Sequence, residues 1–189
     1  MQIAIFETKP WEKKFFKKAL KGQVLEFIKE PVSLDNLSAV KDCEIISTFI
    51  ASKVNSEILD KLPGLKMIAT RSTGFDHLDL KACQNKNIII CNVPFYGENT
   101  VAEHAFALIL TLSRNIHKSY LRTTRGDYTI EGLKGFDLRG KTLGVIGAGH
   151  IGLHLIKMGR GFDMKVLAHD NNRNDFQAGQ LIQNFTIHL

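Results

Sequence analysis

Short apolar runs alternate with amphipathic stretches from the first residue onward. Residues 1–6, 24–27, 44–49, 66–70 and 88–91 are almost continuously apolar or β-branched, as strands covered on both faces are. Between them, residues 10–21, 34–41, 55–62 and 79–86 are each long enough for a short helix. The order βαβαβαβαβ predicts an α/β fold, a parallel sheet with helices on both faces, over the first ninety or so residues.

The pattern changes at NVPFYGEN, residues 92–99, where Pro94 and Gly97 supply a loop ahead of a long helix. Thr100 and Glu103 fit the S/T-x-x-E capping box at its start. Residues 101–114 are apolar on nearly every side, which predicts a helix buried between layers. This loop sets the expected domain boundary, with residues 1–97 as one domain and 98–189 as a second. A polar, basic stretch follows over residues 115–141, loosened by Gly126, Gly132, Gly135 and Gly140. A second βαβ unit then begins, with a strand at 142–146, a helix from His150 and a strand at 165–169.

Composition narrows the function classes. Hydrophobic residues make up 44% and charged residues 23% of the 189, the balance of a globular chain with a packed core. The longest nearly apolar stretch, residues 105–112 with Thr111 inside it, is far short of the roughly 20 residues a bilayer span needs. No basic segment leads into a long apolar run at the N-terminus, so a cytoplasmic protein is expected, with no membrane partner. The net charge of +6 raises nucleic acid as a partner, but Lys13, Lys14, Lys17, Lys18 and Lys21 share one helix whose other face carries Trp11, Phe15, Phe16 and Leu20. That is a solvated helix face, and no nucleic-acid motif accompanies it. Cys43, Cys83 and Cys91 form neither an even set nor a C-x-x-C spacing, so free thiols and no metal are expected.

The strongest chemical signal is KTLGVIGAGHIG, where Gly147, Gly149 and Gly152 form G-x-G-x-x-G between a strand and a helix. The first glycine permits the tight turn, the second lets a pyrophosphate approach the backbone, and the third lets helix and strand pack closely. The helix N-terminus offers free N–H groups to the phosphates. Asp170 ends the next strand, where a carboxylate can accept hydrogen bonds from an adenosine ribose and repel a 2′-phosphate. NAD is therefore the expected cofactor, with Arg173 a possible partner for the extra phosphate of NADP. A second signal is ATRSTGFDHLDL at the exit of the fourth strand. Successive N–H groups around Gly74, after Arg71, Ser72 and Thr73, could form an anion-binding concavity. A plain strand-to-helix turn with Asp76 capping the helix fits the same residues.

RSTGFDHLDL, NVPFYGENTVAEHAFALIL and GFDLRGKTLGVIGAGHIG, in this order and spacing, resemble the D-isomer-specific 2-hydroxyacid dehydrogenases, most closely over residues 40–170. The resemblance implies a flavodoxin-like or Rossmann-like substrate domain followed by the first part of a Rossmann NAD-binding domain. It implies that the Thr73 and Gly74 N–H groups hold the carboxylate of a small 2-hydroxy or 2-oxo acid, such as lactate or pyruvate, and that Tyr96 lines the same cleft. His150 and Ile151 would meet the pyrophosphate and Asp170 the ribose, while the buried-looking helix implies a homodimer. The family's catalytic Arg, Glu and His belong to a later part and are not placed in these 189 residues. Glu103 and His104 are adjacent on one helix and point about 100° apart, so capping and core packing account for them better than catalysis. The C-terminal NFTIHL resembles the family's next strand. Three readings follow: an NAD-dependent oxidoreductase, a non-catalytic dinucleotide-binding or interaction module that keeps the fold, and a truncated product whose irregular tail is residues 171–189.

Overall fold

The computed structural model describes residues 1–171. Arg173, the NFTIHL segment and the expected irregular tail lie outside the described residues, apart from Asn171. The chain divides into two compact units, the first ending at Tyr96 and the second beginning at Gly97.

In the first unit, strands β1 (Gln2–Ile5), β2 (Val24–Phe27), β3 (Ile45–Thr48), β4 (Met67–Thr70) and β5 (Ile89–Cys91) form one parallel sheet in the order β2-β1-β3-β4-β5. This is the doubly wound order in which the chain reverses direction between β1 and β3, so that ligand sites form at the carboxyl ends of the strands. The crossovers are α1 (Pro10–Ala19), a 3-10 turn at Leu34–Ala39, α2 (Ser56–Asp60) and α3 (Leu80–Asn85). Asn55 starts α2 by accepting from Ile58 N at 3.1 Å, and Asp79 starts α3 by accepting from Ala82 N at 3.0 Å, each satisfying an N–H that the helix cannot. The cap of α3 is thus Asp79 and not Asp76. Phe6, Val40, Ile46, Leu59, Leu62 and Ile68 are completely buried and form the main core.

Helix α1 departs from the expected amphipathic packing. Trp11 and Phe15 are exposed, because the helical period puts them on the same side as Lys14 and Lys18, while Glu12, Phe16 and Leu20 turn partly inward.

In the second unit, α4 (Glu98–Ser113) begins three residues earlier than the capping box implied, with Gly97 as its flanking residue. Thr100 lies inside the helix, and the Glu103 carboxylate accepts from Asn99 Nδ2 at 3.2 Å. Nor is α4 sealed between layers among the described residues: Ala102, Phe106 and Ser113 are buried, whereas Val101, Leu108 and Leu112 are exposed. The basic stretch contains a helix that its composition hid, α5 (Ile116–Thr123), separated from α4 by Asn115 in the left-handed region at φ +53°. Strands β6 (Thr142–Ile146) and β7 (Lys165–His169) pair in parallel around α6 (His150–Gly161), at the expected boundaries. Val145, Ile156, Val166 and Ala168 form their core. Among the described residues no helix is long and apolar enough to cross a membrane, and no cluster of side chains could hold a metal ion.

Candidate functional site

The glycine loop is built by its own sequence. Gly147 ends β6 at φ +91°, a backbone angle that costs a side-chain-bearing residue dearly. Its N–H donates to His169 O at 2.7 Å, tying the turn to β7. At Gly152 a Cβ would fall 2.0 Å from Gly147 O, so only glycine lets α6 start so close to the strand. Gly149 is different: nothing lies within 4 Å of where its Cβ would be. Its lack of a side chain serves no packing need within the described residues, and leaves open backbone at the first turn of a twelve-residue helix. His150 and Ile151 open that helix and are exposed. His150 Nδ1 stands 3.7 Å from the Glu98 carboxylate at the start of α4.

Asp170 follows β7, and its Oδ2 accepts from Ala148 N at 2.7 Å. The carboxylate therefore braces the loop between Gly147 and Gly149. Gly159, which sequence reading passed over, is a further close-packing position, since a Cβ there would meet Leu143 Cδ2 at 2.7 Å.

In the first unit the carboxyl edge of the sheet holds two loops of opposite character. At the reversal between β1 and β3, the loop after β3 aims its N–H groups at the Glu7 carboxylate. Phe49 N and Ala51 N donate at 2.9 and 3.0 Å, Ser52 N at 3.1 Å, and the Ser52 hydroxyl also donates. Glu7 sits at φ +53°, a strained position that these bonds hold in place. The protein thus fills this anion site with its own side chain. Arg71 is committed as well, donating to Phe6 O at 2.8 Å and Ser47 Oγ at 3.0 Å and pairing with Glu12 at 3.4 Å.

The loop after β4 is open. Three consecutive carbonyls accept from behind it: Ser72 O from Val93 N at 3.1 Å, Thr73 O from Asn92 Nδ2 at 2.8 Å, and Gly74 O from Ser72 Oγ at 2.7 Å. Each peptide whose carbonyl accepts a hydrogen bond has a more strongly polarised N–H at its other end. Those N–H groups belong to Thr73, Gly74 and Phe75, which are exposed and donate to nothing among the described residues. The result is a row of enhanced donors with no acceptor, which suits a carboxylate. Thr73 Oγ1 donates to Val93 O at 2.9 Å and ties the loop to the exit of β5. Tyr96, exposed, lies three residues beyond Val93. Asn92 was missed in the sequence: its place beside Thr73 depends on the pairing of β4 with β5, although the NVP segment that carries it stood out as a loop.

A doubly wound parallel sheet followed by a βαβ unit with this glycine loop places the chain in the Rossmann-like α/β class. The chain belongs to the family of D-isomer specific 2-hydroxyacid dehydrogenases, whose catalytic domain matches residues 3–178. It is 37% identical over 178 residues to a 2-hydroxyacid dehydrogenase homolog of Haemophilus influenzae, covering 92% of this chain and 54% of that protein. To the D-lactate dehydrogenase of Escherichia coli it is 36% identical over 174 residues, covering 90% and 53%. The crystal structure of D-lactate dehydrogenase from Aquifex aeolicus, complexed with NAD and lactic acid, superposes with a TM-score of 0.89 at 33% identity, covering 98% of this chain and 55% of that one. The chain spans about half the length of the curated relatives it matches.

Proposed function

We propose that the second unit binds NAD and the first binds the carboxylate of a small 2-hydroxy or 2-oxo acid, as parts of an NAD-dependent oxidoreductase of this family. The observation that carries the reading is the contrast among the three glycines: Gly147 needs its positive φ, Gly152 needs its close approach, and Gly149 has open space that its own fold leaves unused. A pyrophosphate against Gly149, His150 and Ile151 uses that space, with the partial positive charge of the helix start opposite its negative charge. Asp170, already drawn to the loop through Ala148, is the group toward which the ribose would lie. When bound, NAD supplies or accepts the hydride exchanged with C2 of the acid. The residues of this chain bind and orient: the Thr73 and Gly74 N–H groups receive the carboxylate, with the Phe75 N–H next in the same row, and Tyr96 borders it. We assign none of the described side chains to proton transfer, and the catalytic Arg, Glu and His that the resemblance implies are not among them. On this reading the 189 residues alone bind both ligands without turning them over, and pair as a homodimer in the cytoplasm.

Calorimetric titration of the chain with NADH and with NADPH tests the cofactor. Tighter NADH binding is expected, because the Asp170 carboxylate repels a 2′-phosphate. Tighter NADPH binding would contradict the role given to Asp170.

A further inference from the structure

Behind the open loop runs a chain of hydroxyls with one permitted direction. Ser72 Oγ donates to Gly74 O at 2.7 Å. Its single proton is then spent. The contact between Thr70 Oγ1 and Ser72 Oγ at 2.7 Å must therefore carry the Thr70 proton toward Ser72. Thr70 is spent in turn, so its 3.0 Å contact with His77 Nε2 requires that nitrogen to bear the donated proton. The sequence of donors is fixed as His77 Nε2–H, Thr70 O–H, Ser72 O–H, Gly74 carbonyl. Thr70 and Ser72 are each 2% exposed, so water does not compete along the middle of the chain, and bonds in such a series polarise one another.

We propose that His77 is a positioning residue for the carboxylate site, acting through Thr70 and Ser72 to polarise and hold the Gly74–Phe75 peptide. This rests on the reading of the loop as the substrate carboxylate's site, and adds to it the residues that set its strength. Each of the three groups is hydrogen-bonded to the next, and the last to the Gly74 carbonyl. Their effect on a ligand passes through one backbone carbonyl. The last peptide of the row owes its polarisation to a side-chain relay, whereas the first two owe theirs to Val93 N and Asn92. Phe75 N–H is thus the donor that tracks the relay most directly. His77 itself is held in place from its main chain, its carbonyl accepting from Val54 N at 2.9 Å, so exchanging its ring leaves the backbone anchor in place.

The test uses the 189-residue chain, labelled with nitrogen-15, and pyruvate as the probe. Thr70→Val removes the relay hydroxyl at constant shape, and Thr70→Ser restores it. His77→Phe removes the first donor near the surface, in case the buried variant fails to fold. In the wild type, pyruvate is expected to move the amide resonances of Thr73, Gly74 and Phe75. Thr70→Val and His77→Phe are expected to shift the Phe75 amide in the free protein and to weaken pyruvate by about three- to tenfold, the range one net hydrogen bond spans, with Thr70→Ser returning both toward wild type. Pyruvate binding at wild-type strength in Thr70→Val and His77→Phe would overturn the relay while leaving the carboxylate site standing. Equal losses in Thr70→Ser and Thr70→Val would also overturn it, because packing and not the hydroxyl would then be responsible. Wild-type amides that do not respond to pyruvate would overturn the carboxylate site itself, and the relay's role with it.

Discussion

Cys43 lies completely buried and Cys91 exposed, and the difference decides their chemistry. Burial, with help from Glu26 and Asp42, pushes the Cys43 thiol from its ordinary 9.0 up to about 11, and burial raises Cys83 as well. The thiolate is the reactive form. Mass spectrometry after brief alkylation of the native protein at pH 8 is expected to find Cys91 modified and Cys43 and Cys83 intact until denaturant is added. Early labelling of Cys43 would contradict its burial. Because the folded thiol stays protonated where the unfolded one ionises, Cys43 contributes stability below about pH 9 that is lost as pH rises toward 11. Thr48 offers a second test at this scale. It is completely buried, and its hydroxyl finds no partner among the described residues. Thr48→Val keeps the branched shape and removes an unsatisfied group, so it is expected to raise stability by about 1 kcal/mol in a denaturant titration. A loss of stability would mean that the hydroxyl is satisfied after all.

At the scale of elements, much of the fold was legible because strands buried on both faces announce themselves as apolar runs. All five strands of the first sheet fall within a residue or two of the segments read from sequence, and β6 and β7 fall on them. Caps were less legible. Asp76 and Asp79 both precede α3, and only the fold selects the carboxylate that reaches Ala82 N. Thr100 and Glu103 have capping-box spacing, yet Gly97 lets α4 begin earlier. Helix α5 was missed because it is only eight residues long and its apolar stripe, Ile116 and Tyr120 one turn apart with Leu121 beside them, stands within a stretch rich in Lys, Arg and Gly. In the site, Gly147 and Gly152 could be read because each answers a backbone need, a positive φ and a close approach, whereas Gly149 is marked by the motif's spacing and not by any demand of the fold. The relay of Thr70, Ser72 and His77 could not, since its members gain meaning only after the loop folds back. Gly152→Ala is expected to cost about 1–3 kcal/mol, since the obstacle is a backbone oxygen, and to lower hydrogen-exchange protection in β6 and α6. Unchanged protection would refute the close packing.

At the scale of the whole molecule, both units expose large apolar side chains among the described residues. In the second unit Leu108, Leu112, Tyr120, Tyr128, Ile130 and Ile146 are all exposed, Ile146 at 91%. Apolar patches above a few hundred Å² commonly mark interaction surfaces, and a two-stranded sheet is marginal by itself. Light scattering after size-exclusion chromatography is expected to give a dimer or larger species, whereas a monomer throughout the micromolar range would contradict the proposed homodimer.

The claim on which the function turns is that the open space at Gly149 belongs to a dinucleotide, and a single substitution separates that claim from the fold. Ala at this position meets nothing within 4 Å, and its φ of −69° suits any residue, so Gly149→Ala should cost no more than about 1 kcal/mol, the usual penalty of Ala at a helix cap. Calorimetric titration of NADH into the wild type and Gly149→Ala, with thermal melting alongside, is the direct measurement. Binding to the wild type, at least about tenfold weaker binding to the variant (1.4 kcal/mol or more) and nearly equal melting temperatures are the expected result. Equal NADH affinity in the two proteins would show that no pyrophosphate approaches this backbone.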